Sequence, residues 1–391
     1  MIHVNEDCQA FHLLSVIAIT GEYPLRKLHL LGNARMYRNT VRRLCQEQDY
    51  VNDYTKEKIK VKALSIVGKG FQRSIRLLKE SKTLLQWIGT DEYYNEVYGQ
   101  YNFSGGDKHR ERHFRIAETL AMCKTAGYEY RPFVLPTLRG ERTREARWND
   151  VKYPKRLPEY PAFYTARSLK GLENKELKKT VFTRLTGALF ANGQCFALYN
   201  LGNEMQKLWE NSEVKMKHTL SELNLNNGGT HRASNAIFLA ENGMEAIKSL
   251  RYLYNKRKNK NKDYSGTEFF PFVYFIPLSE IGIRLLRFFA VDNWTEILHN
   301  SLFYDWNCHF DAPCYRKNNG EYYYSFLDSN IARLITFKRK ASKYELSFSI
   351  YCFPHQVSFL QEFFGKKVNL IQISLESVEE LLEVDSCFEK Q

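Results

Sequence analysis

The sequence predicts an α/β protein, with α+β as the alternative, and three observations predict it. The chain has 391 residues, 43% hydrophobic and 26% charged. That is a globular composition, long enough for two or three domains at roughly 100–200 residues each. The first eighty residues order as helix, helix, turn, helix, hairpin and helix. The last third alternates short apolar strands with helices, the pattern of βα units and a largely parallel sheet.

The elements follow in order. Phe11 to Ile19 is an apolar run closed by Gly21. Pro24 opens a second short helix, Leu25 to Leu31, because proline suits the first turn. Gly32-Asn33 is a break, and residues 34–47 form a third helix. Tyr50 to Thr55 and Ile59 to Val67 read as two strands around Lys56-Glu57-Lys58, and Gly70 to Lys79 reads as a fourth helix. This is the order of a winged helix-turn-helix, over residues 1–80. Residues 81–107 end in Ser104-Gly105-Gly106-Asp107 and read as a linker.

Residues 108–391 read as the larger α/β domain. A helix runs from His109 to Thr125 and stops at Gly127. Thr180 to Asn200 is a hairpin turning at Asn192-Gly193, a strong short-range signal. Met205 to Leu223 is a polar helix. Four strand–helix pairs then follow: Ala236 to Ala240 with Met244 to Tyr254, Phe272 to Ile276 with Leu278 to Phe289, Leu346 to Cys352 with Gln356 to Phe364, and Val368 to Ile373 with Ser377 to Leu382. The hairpin must join their sheet or pack on it, so the sheet is mixed. The acidic stretch 376–389 reads as a solubilising end.

Charge points to an anionic partner. Lys+Arg is 57 against Asp+Glu 44, a net +13 with a pI near 9.2. Residues 1–80 hold 14 Lys+Arg and 8 Asp+Glu, a net +6. Placement matters more than the sum. On the third helix Arg35, Arg38, Asn39 and Arg42 fall at i, i+3, i+4 and i+7 and form one stripe. Tyr37, Val41, Leu44 and Cys45 take the roughly opposite face. Arginine binds guanine bidentately and asparagine binds adenine, so the stripe suits a major groove. Arg43 lies to one side, where phosphate is the expected contact. In the hairpin, Lys58, Lys60 and Lys62 alternate with Ile59, Val61 and Ala63. Period-two alternation puts the lysines on one face, as a wing that holds backbone phosphate. The expected partner is double-stranded DNA.

The stretches LHLLGNARMYRNTVRRLCQEQDYV, KVKALSIVGKGFQRS, HFRIAETLAMCKTAG and SFSIYCFPHQVSFLQEFFG resemble the replication-relaxation family of bacterial plasmids and integrative conjugative elements. The resemblance covers most of the chain weakly and the first eighty residues more closely. It implies a role in replication, DNA relaxation or transfer of a mobile element, and it carries over no catalytic residue.

The sequence assigns no catalytic residue, metal site or cofactor. GxxxxGK[ST], GxGxxG after a strand, GxSxG and HExxH are all missing. His109 and His113 share a helix, but the general-base glutamate is misplaced. A nuclease core needs an acidic residue plus a (Asp/Glu)-x-Lys pair holding a divalent metal. Three pairs match: Asp150-Val151-Lys152, Glu173-Asn174-Lys175 and Glu213-Val214-Lys215. None falls on a predicted strand. Eight scattered cysteines without CxxC exclude a disulfide framework, and Cys308-His309 with Cys314 is too sparse for zinc. Further basic clusters lie at Arg139, Arg142, Arg144 and Arg147, and from Arg251 to Lys262. No run reaches the roughly 18 apolar residues of a membrane span, and Glu6 and Asp7 oppose a signal peptide. The expectation is a cytoplasmic, non-catalytic DNA-binding protein of a mobile genetic element. Its α/β domain would serve a protein partner or self-association. A winged-helix transcriptional regulator and a metal-dependent nuclease are the alternatives.

Overall fold

The computed structural model describes residues 2–5, 8–87, 107–130, 161–166, 169, 183–208, 210–226, 229, 235–255, 270, 272–303, 307–308, 314–316 and 320–387. The chain divides into two compact units, Met1–Thr125 and Ala126–Gln391. Helices and mixed sheets together make an α/β architecture. Among the described residues no helix is long and apolar enough to cross a membrane.

The first unit is built around α1, Gln9–Thr20. Its sequence is apolar on every side, and from Leu13 to Thr20 every residue is buried. That is the pattern of a central helix. It is preceded by β1, Ile2–Val4, and followed by β2, Glu22–Pro24. Leu25–Leu31 is a 3-10 segment, and the second helix after it is α2, Ala34–Leu44. Asn33 caps α2, its Oδ1 accepting from the Arg35 and Met36 amides at 3.1 and 3.2 Å. Strands β3, Gln48–Asn52, and β4, Lys58–Val61, form an antiparallel hairpin, and β1 adds in parallel to β3.

Two sequence expectations fail after this point. Ile59 to Val67 is not one strand: β4 stops at Val61, and β5, Leu64–Val67, starts a second sheet. Gly70 to Lys79 is not a helix. Gly70–Gln72 is a single 3-10 turn, and Ser74–Leu77 is β6, antiparallel to both β5 and β2. Ile75 and Leu77 are buried on this strand, so its period is two. Gly68 (φ +81°) folds the tip. A Cβ there would lie 2.3 Å from the Gln72 carbonyl oxygen.

The linker expectation also changes. Leu84 and Leu85 of α3, Lys82–Trp87, are fully buried, and residues 88–106 lie outside the described ones. The next helix, α4, Asp107–Thr125, belongs to the first unit and packs on α1 and β2. Its Arg110 faces the buried Glu22 carboxylate at 3.5 Å. Glu22 Oε2 also accepts from Ser74 Oγ at 2.7 Å and Arg76 Nε at 2.9 Å. Burial alone would raise its pKa; the hydrogen bonds and guanidinium charges outweigh that and lower it.

Among the described residues the second unit holds two five-stranded sheets, not one. The first contains β7, Ala162–Thr165, β8, Gly187–Ala191, β9, Gln194–Gly202, β10, Asn235–Ala240, and β11, Val273–Pro277, side by side in that order. The β7–β8 and β8–β9 pairs are antiparallel; β9–β10 and β10–β11 are parallel. Asn192 (φ +51°) and Gly193 (φ +70°) make the expected turn between β8 and β9. Helix α5, Glu210–Asn226, precedes β10, α6, Gly243–Asn255, precedes β11, and α7, Glu280–Phe288, follows it.

After α8, Trp294–Phe303, the second sheet repeats the plan. It contains β12, Asn307–Cys308, β13, Cys314–Arg316, β14, Tyr322–Ser325, β15, Phe348–Cys352, and β16, Asn369–Gln372. Its first two pairings are again antiparallel and its last two parallel. Helices α9, Ile331–Lys343, α10, Val357–Phe364, and α11, Leu375–Leu381, occupy the places of α5, α6 and α7. One core cluster joins the sheets, running from Tyr164 and Tyr199 to Tyr324 and Ile350. The acidic end does more than solubilise. Arg284 on α7 pairs with Glu376 at 2.8 Å and with Glu379 on α11, and Arg287 pairs with Asp385 at 2.7 Å.

Candidate nucleic-acid interface

Helix α2 carries the stripe. Tyr37, Val41 and Leu44 are buried at 4%, 3% and 0% exposure, so the inward face is fixed. Tyr37 Oη lies 2.6 Å from His12 Nδ1 on α1, which locks the rotation of α2 about its axis. Arg35, Arg38, Asn39, Arg42 and Arg43 are all exposed as a result. Cys45, expected on the inward face, instead caps the helix and is half-buried. From Arg35 to Arg42 the stripe spans about 10 Å at 1.5 Å per residue, enough to face roughly three base pairs at 3.4 Å each. Among the described residues none of these four guanidiniums has a carboxylate partner. Arg42 and Arg43 also sit in the last turn, where positive charge favours the helix dipole.

The lysines alternate as expected. Lys58, Lys60 and Lys62 are exposed, Ile59 and Val61 half-buried, and Ala63 fully buried. Lys62 lies just past the end of β4. Carboxylates temper this face, however. Lys60 pairs with Glu47 at 3.2 Å and stands across the ladder from Asp49.

Sequence reasoning missed a second basic feature by placing it inside a helix. The β5–β6 tip presents Lys69 and Arg73, both exposed, around Phe71, which is 81% exposed. Arg26 lies 5.9 Å from the Phe71 ring centroid. The legible signal was S-I-V-G-K-G-F-Q-R-S-I-R-L, a glycine-containing turn between two alternating runs.

The nuclease pairs do not assemble. Asp150-Val151-Lys152 and Glu173-Asn174-Lys175 lie outside the described residues, as do the Arg139–Arg147 cluster and Lys256–Lys262. Glu213 is on α5 and fully buried. Its carboxylate accepts from Thr183 Oγ1 at 2.7 Å, Tyr199 Oη at 2.6 Å and the Arg184 amide at 3.0 Å. That set tethers a helix to a strand. Burial, followed by this carboxylate, raises the Tyr199 pKa far above its usual range. Sequence reasoning also passed over Asp328, buried just beyond β14. It accepts from the Asn330 amide at 3.0 Å and faces Arg333 at 3.6 Å, steadying the start of α9. Among the described residues no group of three His, Cys, Asp or Glu side chains could hold a metal. Compared with known proteins, the chain matches no family model, no curated protein and no solved structure.

Proposed function

We propose that this chain is a non-catalytic DNA-binding protein of a mobile genetic element, acting in replication, relaxation or conjugative transfer. One observation carries the reading. An exposed stripe of three guanidiniums and an amide, with Arg43 beside it and all four guanidiniums free of carboxylate partners among the described residues, stands on a helix whose opposite face is buried. We read the first unit as a winged helix-turn-helix. The 3-10 segment and α2 are its helix pair, and the strand just before that pair joins the β5–β6 hairpin in one sheet. In this reading α2 enters the major groove of double-stranded DNA, with Arg38 and Asn39 on base edges and Arg43 on phosphate. The lysines of β4 add backbone contacts. The resemblance to the replication-relaxation family supports the cellular role, and the second unit supplies a partner-binding or self-associating body.

The test is binding of the full chain to random duplex DNA across a salt series with Mg²⁺ present. Arg38→Ala or Asn39→Ala should cost roughly 1–3 kcal/mol at the matched base and relax sequence preference there. Lys60→Ala should weaken all sequences alike and reduce the salt slope by about 1. Equal losses on every sequence for Arg38→Ala would remove base readout, and cleavage of the duplex would favour the nuclease alternative.

A further inference from the structure

The β5–β6 tip has a composition that phosphate contact alone does not explain. A loop that only holds phosphate needs cations, and Lys69 and Arg73 supply them. It does not need a phenylalanine with four-fifths of its surface in water. Phe71 is the most exposed of the large apolar residues described. It stands in the 3-10 turn Gly70–Gln72 at the tip of the β5–β6 hairpin, where a single exposed ring can act as a wedge. One side of its ring is approached by the Arg26 guanidinium, and no acidic residue occurs from Gly68 to Arg73.

The tip is also held in place. Arg110 Nη2 on α4 donates to the Gln72 carbonyl oxygen at 2.9 Å and to Ser74 Oγ at 3.1 Å. The Leu25 amide donates to the Arg73 carbonyl oxygen at 3.1 Å. The loop is therefore ordered before any partner arrives, and insertion incurs little further ordering cost.

We infer that Phe71 inserts between base steps of duplex DNA from the minor groove and kinks the duplex, with Arg26, Lys69 and Arg73 neutralising the flanking phosphates. Apolar wedges of this kind unstack a step and bend the helix by about 20–90°. Pyrimidine–purine steps unstack most easily, so they are the preferred sites. The inference rests on the DNA-binding reading and deepens it, by naming a deformation that α2 alone would not produce.

The experiment uses the full chain and a duplex labelled at both ends with a donor and an acceptor fluorophore, carrying a central pyrimidine–purine step. Binding is read by anisotropy and bending by energy transfer. The expected result is binding with a bend above about 20° for the natural chain. Phe71→Ala should bind the same duplex without bending it, and Phe71→Leu, which keeps a wedge, should restore most of the bend. Phe71 packs against so little that neither variant should unfold the unit, and circular dichroism checks this. Binding without a bend, or an equal bend with Phe71→Ala, overturns the wedge and leaves the DNA reading intact. No binding by the natural chain overturns both.

Discussion

Acidification should loosen α2 from α1 before carboxylate titration dominates, and His12 sets the size of the effect. Its ring sits between the two helices, with Nδ1 2.6 Å from Tyr37 Oη. Burial, and secondarily the nearby Lys124 ammonium, lowers its pKa from 6.5 to about 3. The folded unit therefore holds His12 neutral while the unfolded chain takes up a proton near pH 6.5. Below that value the unfolded state binds more protons, so stability falls with pH until about 3, where the folded form protonates too. At pH 4.5, about two units below the unfolded pKa, the loss is about 3 kcal/mol at 1.36 kcal/mol per unit. The assay is hydrogen exchange by mass spectrometry on the full chain across a urea series at pH 7 and 4.5. Peptides covering α1 and α2 are followed, with intrinsic exchange rates corrected. His12→Gln, which carries no charge, should remove most of the pH-dependent loss. Glu22 also loses stabilisation in acid, but it is common to both proteins and cancels in the comparison. Equal losses in both, or a flat response in the natural chain, would refute the assignment.

Other substitutions test the buried networks. Glu22→Gln takes the carboxylate charge away from Arg76 and Arg110, and breaking a buried pair in this way should cost about 3–5 kcal/mol by urea denaturation. Glu213→Ala leaves Thr183, Arg184 and Tyr199 without their acceptor, at roughly 1–3 kcal/mol for each stranded donor. A Glu213→Ala chain as stable as the natural one would show that α5 does not depend on this tether.

Some of this structure was legible in the sequence because a local signal was enough. The stripe from Arg35 to Arg42 follows from helical period, and Asn33 marks where the helix starts. The Asn192-Gly193 turn needs no tertiary information, since its backbone conformation is demanded by a two-residue hairpin. The hairpin from Leu64 to Leu77 is hidden in the sequence because Gly70 reads as opening a helix. Only the pairing of Ser74–Leu77 with Glu22–Pro24, more than forty residues earlier, makes it a strand. The two sheets likewise read as one in the sequence, because alternation of strands and helices gives the connection and not the neighbour. Nothing local marked Glu213 as a tether, since its three donors come from residues 14 to 30 positions away.

The repeated strand order of the second unit bears on how the chain can assemble. Helices α7 and α11 hold like positions, one after the last strand of each sheet, yet they meet as opposites, with Arg284 and Arg287 on the first and Glu376 and Glu379 on the second. If one sheet-and-helix half paired with its own copy, arginine would face arginine or glutamate would face glutamate, and like charges set together are costly. These ion pairs form only between unlike halves. The two sheets also share one core cluster, so each half completes the other within a single chain, and the charge pattern between α7 and α11 works with that shared core to keep the pairing internal.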